Sequence, residues 1–388
     1  MGLRTRHLKY KLGHWRFKLA ILYKLALQNF LSILEIAVIP ILLIGSLVLV
    51  GFVSWQSVEW YRAASTLSDL SEHIKSKNEI MRTLAQVLGG AFVLTGLYFT
   101  AKNVFVSRQA QITDRFGDAL EKLSEKENIL KRIGGIHALE SIAKDSPRDY
   151  WRIMEIFAGF IRLNTADTLY IESQAEIPDG RRRPRADIQQ VLDAIGRRSR
   201  TYRIGESRRL DLTGAYLEGA DLRDANLEGV NFQNANLAKA IFKSAHLRNA
   251  DFSKANLEGS NFNLADLTNS NFHEANLAHA QLRNAILKNT AFAMAQMKGA
   301  SFEGSTLNKV YFAKASLEDA DFEKALLDEC HFYGANLNHT IFCKAKLIAP
   351  VQLTEQQLGY TVFDEETSLP HSLSKVLKDK QYSALSQS

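Results

Sequence analysis

The 388-residue chain contains only two cysteines, Cys330 and Cys343. That excludes a disulfide framework and fits a reducing compartment. The usual signatures of catalysis are missing as well. There is no glycine-rich phosphate loop, and His273-Glu274 opens like a zinc-protease motif whose fifth residue is Leu277 rather than His. Ser141-Ile142-Ala143-Lys144 and Ser372-Leu373-Ser374-Lys375 satisfy a Ser-x-x-Lys pattern that is too short to carry weight. Cys330, His331, His339 and Cys343 lie close together in sequence. Cys330, however, falls at a small inward site of the repeat described next, from which it cannot reach a surface metal. The expectation is a non-catalytic protein without metal or cofactor.

A second absence is more informative. Charged residues make up 23% of the chain, yet none occupies the 28 positions spaced five apart from Leu212 to Leu347, where about six would be expected by chance. Every one of those positions is Leu or Phe except Met297. Two residues before them the side chain is mostly small, and 19 of the 28 are Ala. A period of five fits neither regular element. On an α-helix five residues advance about 500°, so the apolar sites would spiral and form no stripe. On a flat strand an odd period would send successive large residues to opposite faces. The pattern works only if the backbone turns every five residues and all large side chains point to one axis, as in a solenoid.

The choice between Leu and Phe gives the number of sides. Sorted at twenty, one set reads Leu212, Phe232, Phe252, Phe272, Phe292, Phe312, Phe332, and another reads Leu227, Leu247, Leu267, Leu287, Leu307, Leu327, Leu347. Like-on-like ladders pack at constant volume from layer to layer, which favours four sides and seven coils, roughly 34 Å long at the strand spacing. The expected core is carried by these two ladders.

ADLRDANLEG (Ala220 to Gly229), NANLAKAIF and GSNFNLADLTNSNF resemble the pentapeptide-repeat proteins, whose unit is A(D/N)LXX. The resemblance covers residues 210–347 and implies a right-handed quadrilateral β-helix. It is specific to shape and says little about function. Some members of the family mimic duplex DNA against topoisomerase. Mimicry needs a dense negative field, and residues 210–347 carry 10 Lys and 3 Arg against 8 Asp and 8 Glu, a net −3.

Charge is uneven elsewhere. Residues 1–30 hold seven Lys or Arg and no acid. Residues 178–209 hold ten Arg against four acids, so +7 and +6 in these blocks leave −7 for the rest of a chain of net +6. Residues 8–30 read as a basic amphipathic helix, with Leu8, Leu12, Trp15, Leu19 and Leu22 on one face and Lys9, Lys11, Arg16, Lys18 and Lys24 between them. Such a helix lies in an anionic membrane surface or packs on its own protein. Residues 33–53 carry one charge, Glu35, and residues 84–101 carry none before Lys102, so both are long enough to span a bilayer. Glu35 and Pro40 are the candidates for transport chemistry, and Glu35 sits at the lipid boundary where it can snorkel. Seven basic residues precede the first span and Lys102, Arg108 and Arg115 follow the second. The basic bias places both termini in the cytoplasm.

The expected organisation is a basic segment (1–30), a transmembrane hairpin (31–106, with spans near 33–53 and 84–102 and an outer loop 54–83) and an α-helical module (107–165). An arginine-rich linker with a capping helix (166–209), the β-helix (210–347) and a C-terminal cap and tail (348–388) complete it. Ser146-Pro147-Arg148-Asp149 reads as a helix start with Ser at the cap. QITDRFGDALEKL, RIGGIHALESIAKDSPRDYW and ADIQQVLDAIGRR resemble a helical module of membrane-associated bacterial members of the family. Arg181, Arg182, Arg183 and Arg185 are candidates to meet anionic lipid or nucleic acid, or to be a solvated linker; no aromatics interleave with them. The reading is a bacterial inner-membrane scaffold that presents its solenoid to a cytoplasmic protein, with homo-oligomers open. The alternatives are a topoisomerase modulator and a membrane sensor or transport accessory.

Overall fold

The computed structural model describes residues 67–166, 182–202, 205–206, 208–348 and 353–370, with Leu373 and isolated positions between 44 and 59. Lys9, Lys11, Arg16, Lys18, Lys24, Glu35, Pro40, most of the first expected span and Arg181 lie outside the described residues. The chain divides into two compact units, Met1–Gln111 and Ile112–Ser388.

Helix α1 runs from Leu67 to Leu123, 57 residues. Within the expected outer loop the chain is helical from Leu67 onwards, and the same helix runs unbroken from the second expected span into the helical module. Residues 67–83 contain no Gly or Pro, so nothing in them breaks the helix through a stretch that hydropathy alone separates from its neighbours. Among the described residues α1 is the one helix long and apolar enough to cross a membrane. Phe92, Val93 and Leu94 on it are 63–68% exposed.

In the second unit, α2 (Ile129–Asp145), α3 (Tyr150–Thr165) and α4 (Ala186–Gly196) pack with the end of α1. Their periodic apolar faces meet: Ile136, Leu139, Ile153, Phe157, Ile161, Ile188, Val191 and Ile195 are 0% exposed. A methyl group on Gly135 would lie 2.7 Å from the Ala119 carbonyl oxygen, so α2 crosses α1 at a glycine. The expected serine cap is not formed. Ser146 Oγ donates to Asp149 Oδ2 at 2.6 Å, and the turn then leads into α3 at Tyr150, whose preceding residue Asp149 makes no side-chain cap bond either. After α4 come two short parallel strands, β1 (Thr201–Tyr202) and β2 (Gly205–Glu206).

From Asp211 the backbone makes parallel bridges to the residue twenty positions on: Asp211 to Asn231, Tyr216 to Asn236, Asp221 to Ile241, Asn226 to His246, and so on through the stack. Four pentapeptides therefore close one coil. We call the sides A, B, C and D, centred on the registers of Leu212, Leu217, Leu222 and Leu227. On side D the strands β3 (Ile286–Lys288), β4 (Thr306–Asn308), β5 (Leu326–Asp328) and β6 (Lys346–Ile348) form a parallel four-stranded sheet. Leu227, Phe232, Leu247, Phe252, Leu267, Phe272, Leu287, Phe292, Leu307, Phe312, Leu327 and Phe332 are all 0% exposed. The phenylalanines of side A stack on one another, Phe252 on Phe272 and Phe272 on Phe292 at 4.8 Å each. Those of side C meet them edge-on across the axis, Phe262 with Phe272 at 5.8 Å. Each corner is turned by a residue in the left-handed region two positions after the central one, from Gly214 to Lys344. Most corners close with a bond such as Ala235 N to Phe232 O, 3.1 Å, as type II turns do.

Both open ends are capped. The first coil has no coil before it to accept from its N–H groups. Tyr216 N donates to Thr165 Oγ1 at 3.1 Å, Asp221 N to Gln189 Oε1 at 3.1 Å, and Asn226 N to the Gly196 carbonyl at 2.8 Å. Gln189 also donates to the Asp221 carbonyl at 2.7 Å, so its amide replaces a strand. At the far end the chain makes an irregular eighth coil. Ile341 bridges Val362 and Lys346 bridges Ser368, offsets of 21 and 22 instead of 20. Leu358 is 0% exposed and Phe363 stacks on Phe342 at 5.8 Å. The short helix α5 (Glu355–Gly359) begins at a capping box on Thr354, and Gln357 Nε2 donates to the Phe332 and Ala335 carbonyls at 2.8 and 3.0 Å.

Candidate interaction surface

The inward positions are filled, so any chemistry toward a partner lies on the outward ones. The residue before the central position is Asp or Asn in 13 of the 28 units, and where it is, its side chain can close an Asx turn. Asn261 Oδ1 accepts from Asn263 N at 2.9 Å, and the arrangement recurs at Asn231, Asn271 and Asn276. On side B these amides join from coil to coil, Asn256 to Asn236 at 3.1 Å and Asn276 to Asn256 at 3.2 Å.

Charges pair in the same register. Lys254 meets Glu274 at 3.7 Å, Arg283 meets Glu303 at 3.5 Å, Lys298 meets Glu318 at 3.2 Å and Lys309 meets Glu329 at 3.5 Å, each twenty residues apart. Exposed pairs of this kind contribute about 0–1 kcal/mol each. Their larger effect is to cancel the field of the carboxylates one coil at a time.

Side A changes character along the stack. In coils one to four its outward residues are Asp211, Thr213, Asn231, Gln233, Asp251, Ser253, Asn271 and His273. They bond to each other: Gln233 donates to Asp251 at 2.8 Å and Asn271 to Ser253 at 2.7 Å. In coils five to seven the same positions hold Ala291, Ala293, Tyr311, Ala313, His331 and Tyr333. Met294, Tyr311 and Tyr333 are 44%, 45% and 71% exposed. The Tyr311 ring stacks on His331 at 4.9 Å, which fixes its plane. Lys314 is the one charged residue among the outward positions of this stretch. An apolar, aromatic strip three coils long, where elsewhere on the solenoid exposed apolar residues such as Leu264 and Ile286 stand singly, is the feature that most resembles a docking surface. It follows from sorting outward positions at twenty; sorting the inward ones does not show it.

The arginine-rich segment is built into the fold. Arg185 donates to Asp187 at 2.7 and 3.0 Å, and Arg132 meets the same carboxylate at 2.6 Å. These two guanidinium groups hold the Asp187 carboxyl below its ordinary value even though burial pushes it up. Arg197 grips both oxygens of Glu140 at 3.0 Å. Arg198 is buried against Glu206 at 3.2 Å and donates to the Asn226 and Glu228 carbonyls at 2.9 and 2.6 Å; Tyr150 donates to Glu206 at 3.0 Å. The carbonyl of Arg182 lies against Gly219, where a methyl group would meet it at 1.7 Å. Arg185, read from sequence as a lipid contact, is therefore engaged by Asp187. Arg183 is exposed. Sequence reasoning missed Glu140 with Arg197 and Asp187 with Arg132 because the partners are 57 and 55 residues apart; Asp187 with Arg185 and Glu206 with Arg198, two and eight apart, were within its reach and were also missed.

Cys330 is 0% exposed at its small inward site, and burial pushes its thiol up to about 12, so it stays protonated. His331 lies under Tyr311 and Cys343 is half-buried.

A stack of twenty-residue coils with parallel bridges, buried central side chains and left-handed corners defines a β-solenoid of five-residue units. A sequence profile described as a pentapeptide repeat region matches residues 208–282 and 275–350. The chain belongs to the pentapeptide-repeat family, whose fold implies a right-handed quadrilateral β-helix. A pentapeptide repeat protein from the Arabidopsis thaliana thylakoid lumen is 31% identical over 25% of this chain and 70% of that one, with a TM-score of 0.24. QnrB1, a plasmid-mediated fluoroquinolone resistance protein, is 15% identical over 44% of this chain and 85% of that one, with a TM-score of 0.32. HetL, involved in heterocyst differentiation regulation in the cyanobacterium Nostoc, is 24% identical over 41% and 82%, with a TM-score of 0.18. No curated protein matches the chain.

Proposed function

We propose that this protein is a membrane-anchored, non-catalytic scaffold that presents side A of coils five to seven to a cytoplasmic protein. The observation that carries the reading is the strip of Ala291, Ala293, Met294, Tyr311, Ala313 and Tyr333, in which Met294 and both tyrosines are exposed and the alanines half-buried. Tyrosine and methionine are enriched in the buried centres of protein interfaces, and charge is depleted there. Anchoring is supported by the exposed apolar stretch of α1. The basic residues flanking both expected spans support cytoplasmic termini at a bacterial inner membrane, and the basic residues of 1–30 suit contact with anionic lipid.

DNA mimicry, the first alternative raised by the sequence, is a weaker reading. Its carboxylates would have to present an unbroken negative field, whereas here Lys254, Arg283, Lys298 and Lys309 each neutralise an acid in the next coil.

The test is proximity labelling in intact cells from a labelling enzyme fused after Ser388. Tyr311→Ala with Tyr333→Ala should remove a defined set of cytoplasmic proteins, and Asn236→Ala with Asn256→Ala on side B should leave it unchanged. A labelled set indifferent to the tyrosines, or lost equally with the side B control, would sink the proposal.

A further inference from the structure

The side A strip, taken as the docking surface proposed above, is built on ladders that stop short. Ala291, Tyr311 and His331 bridge one another in register in successive coils. His331 stacks on one face of the Tyr311 ring at 4.9 Å with the planes 10° apart, so the other face is turned along the axis toward Ala291. A methyl group at 291 leaves the next place in that stack unfilled, a slot with an aromatic wall and an alanine floor. In the neighbouring column Ala313 lies twenty residues before Tyr333, one coil below it, and makes a second depression beside a ring that is 71% exposed. The two depressions are one coil apart along the axis and two residues apart across the face. At spacings of about 4.8 and 3.3 Å that is about 8 Å on the diagonal.

Three properties of these surroundings select among partners. The backbone is already spent: Tyr311 N donates to the Thr290 carbonyl at 3.0 Å, Phe292 N to the Tyr311 carbonyl at 2.7 Å and Phe312 N to the His331 carbonyl at 2.7 Å, so a strand has no edge to join here. No outward position of the strip is an acid, whereas both tyrosine hydroxyls and Lys314 are donors. Lys314 is exposed and makes no ion pair among the described residues. The complement of such a surface is a chain that brings rings and free acceptors but few donors. Proline has no N–H, and a polyproline II segment leaves its carbonyls unpaired. Spacing is the third property. One turn of polyproline II is three residues, about 9.3 Å, close to the separation of the two depressions. Neighbouring side chains on an α-helix stand about 5–6 Å apart, and a helix has spent its own carbonyls.

We propose that the strip binds a proline-rich segment of the partner protein in the polyproline II conformation. One proline ring fills the slot between Tyr311 and Ala291, and the proline three residues away lies over Ala313 against Tyr333. The tyrosine hydroxyls donate to the segment's carbonyls, and Lys314 meets a carboxylate beside the prolines. Aromatic-lined surfaces suit this conformation because it is formed before binding, so little entropy is lost on docking.

The experiment uses the full chain in phosphatidylcholine nanodiscs and the fluorescence anisotropy of three labelled peptides of equal length: Pro-Pro-Glu repeats, Pro-Pro-Lys repeats, and an amphipathic helix of Leu, Ala and Glu. The Pro-Pro-Glu peptide should bind saturably, at least about tenfold more tightly than the helix and about threefold more tightly than the Pro-Pro-Lys peptide. Ala291→Leu fills the slot from the surface without touching the core and should weaken binding about tenfold. Tyr311→Phe with Tyr333→Phe keeps the rings, removes the donors and should weaken it about three- to tenfold. Lys314→Glu should reverse the order of the two proline peptides, which a loss of folding would not do. No saturable binding up to the solubility limit of the peptides, indifference to Ala291→Leu, or an unchanged order with Lys314→Glu overturns the proposal. Tighter binding of the helix overturns it in favour of a helical partner, and binding that appears only when 374–388 is removed overturns it in favour of cover by the chain's own end. Tyrosine-dependent labelling in cells without binding of the proline peptides sinks this inference and leaves the docking surface standing.

Discussion

Changing Phe272 to Ala tests the solenoid at its most constrained point. The ring is 0% exposed, stacked at 4.8 Å on Phe252 and on Phe292, and edge-on to Phe262 at 5.8 Å. A buried Phe→Ala change costs about 3–5 kcal/mol, the upper end applying where the site cannot collapse. Here the backbone is held on both sides of the coil: Phe272 N donates to the Ala291 carbonyl at 2.7 Å and Phe252 N to the Asn271 carbonyl at 2.7 Å. Three aromatic contacts disappear as well, each contributing about 0.5–1.5 kcal/mol beyond area burial. A loss near the top of that range follows. His273, one residue on, is half-buried on the outer surface and meets Glu274 at 3.0 Å, so His273→Ala should cost less than about 0.5–1 kcal/mol. The assay is urea denaturation of residues 112–388 followed by far-ultraviolet circular dichroism, with hydrogen exchange at side A amides as a second probe because repeat stacks can unfold in stages. Equal losses for Phe272→Ala and His273→Ala, or a loss below about 1 kcal/mol for Phe272→Ala, would refute the reasoning.

Other consequences are equally direct. Gln189→Leu should destabilise the same fragment by about 1–3 kcal/mol, since it leaves the Asp221 N–H and carbonyl unpaired; a thermal melt unchanged within error would contradict the capping role. Leu264 turns its corner at φ 64° with 53% of its surface exposed, so Leu264→Gly should stabilise by about 0.5–1 kcal/mol once the strain relieved is set against the added freedom of glycine; urea midpoints decide the sign. The Glu140 carboxyl is held down to about 2 from an ordinary 4.5, chiefly by its bond to Arg197. Its contribution is present above pH 4.5 and is lost as pH falls towards 2, so Glu140→Gln should flatten the pH dependence of unfolding in that window. For the membrane reading, a reporter active only outside the cytoplasm should be active when inserted after Lys75 and silent when fused after Ser388; the opposite pattern would place the solenoid outside the cell.

The central ladders were legible in the sequence because burial at Leu227 or Phe272 is enforced every five residues, and a pattern repeated through seven coils cannot be hidden by local noise. The side A strip was not. Ala291, Tyr311 and Tyr333 are inconspicuous in linear order and become neighbours only when outward positions are read twenty apart. Nor were the ion pairs of the helical module, since Arg132 with Asp187, and Glu140 with Arg197, are 55 and 57 residues apart. The continuity of α1 was hidden for a different reason: hydropathy marks where the environment of residues 84–102 changes, and a helix need not end there.

The bridges at a constant offset of twenty give the solenoid two independent adjustments. Inserting or deleting a whole coil would slide the Tyr311–Tyr333 strip along the axis by about 4.8 Å while keeping it on the same compass bearing relative to the helical module. Inserting or deleting a single pentapeptide upstream would instead swing the strip through a quarter turn with almost no axial travel. Because each coil contacts only its neighbours, lineages that duplicate or lose repeats can reset either the reach or the bearing of a docking surface without rebuilding the surface itself.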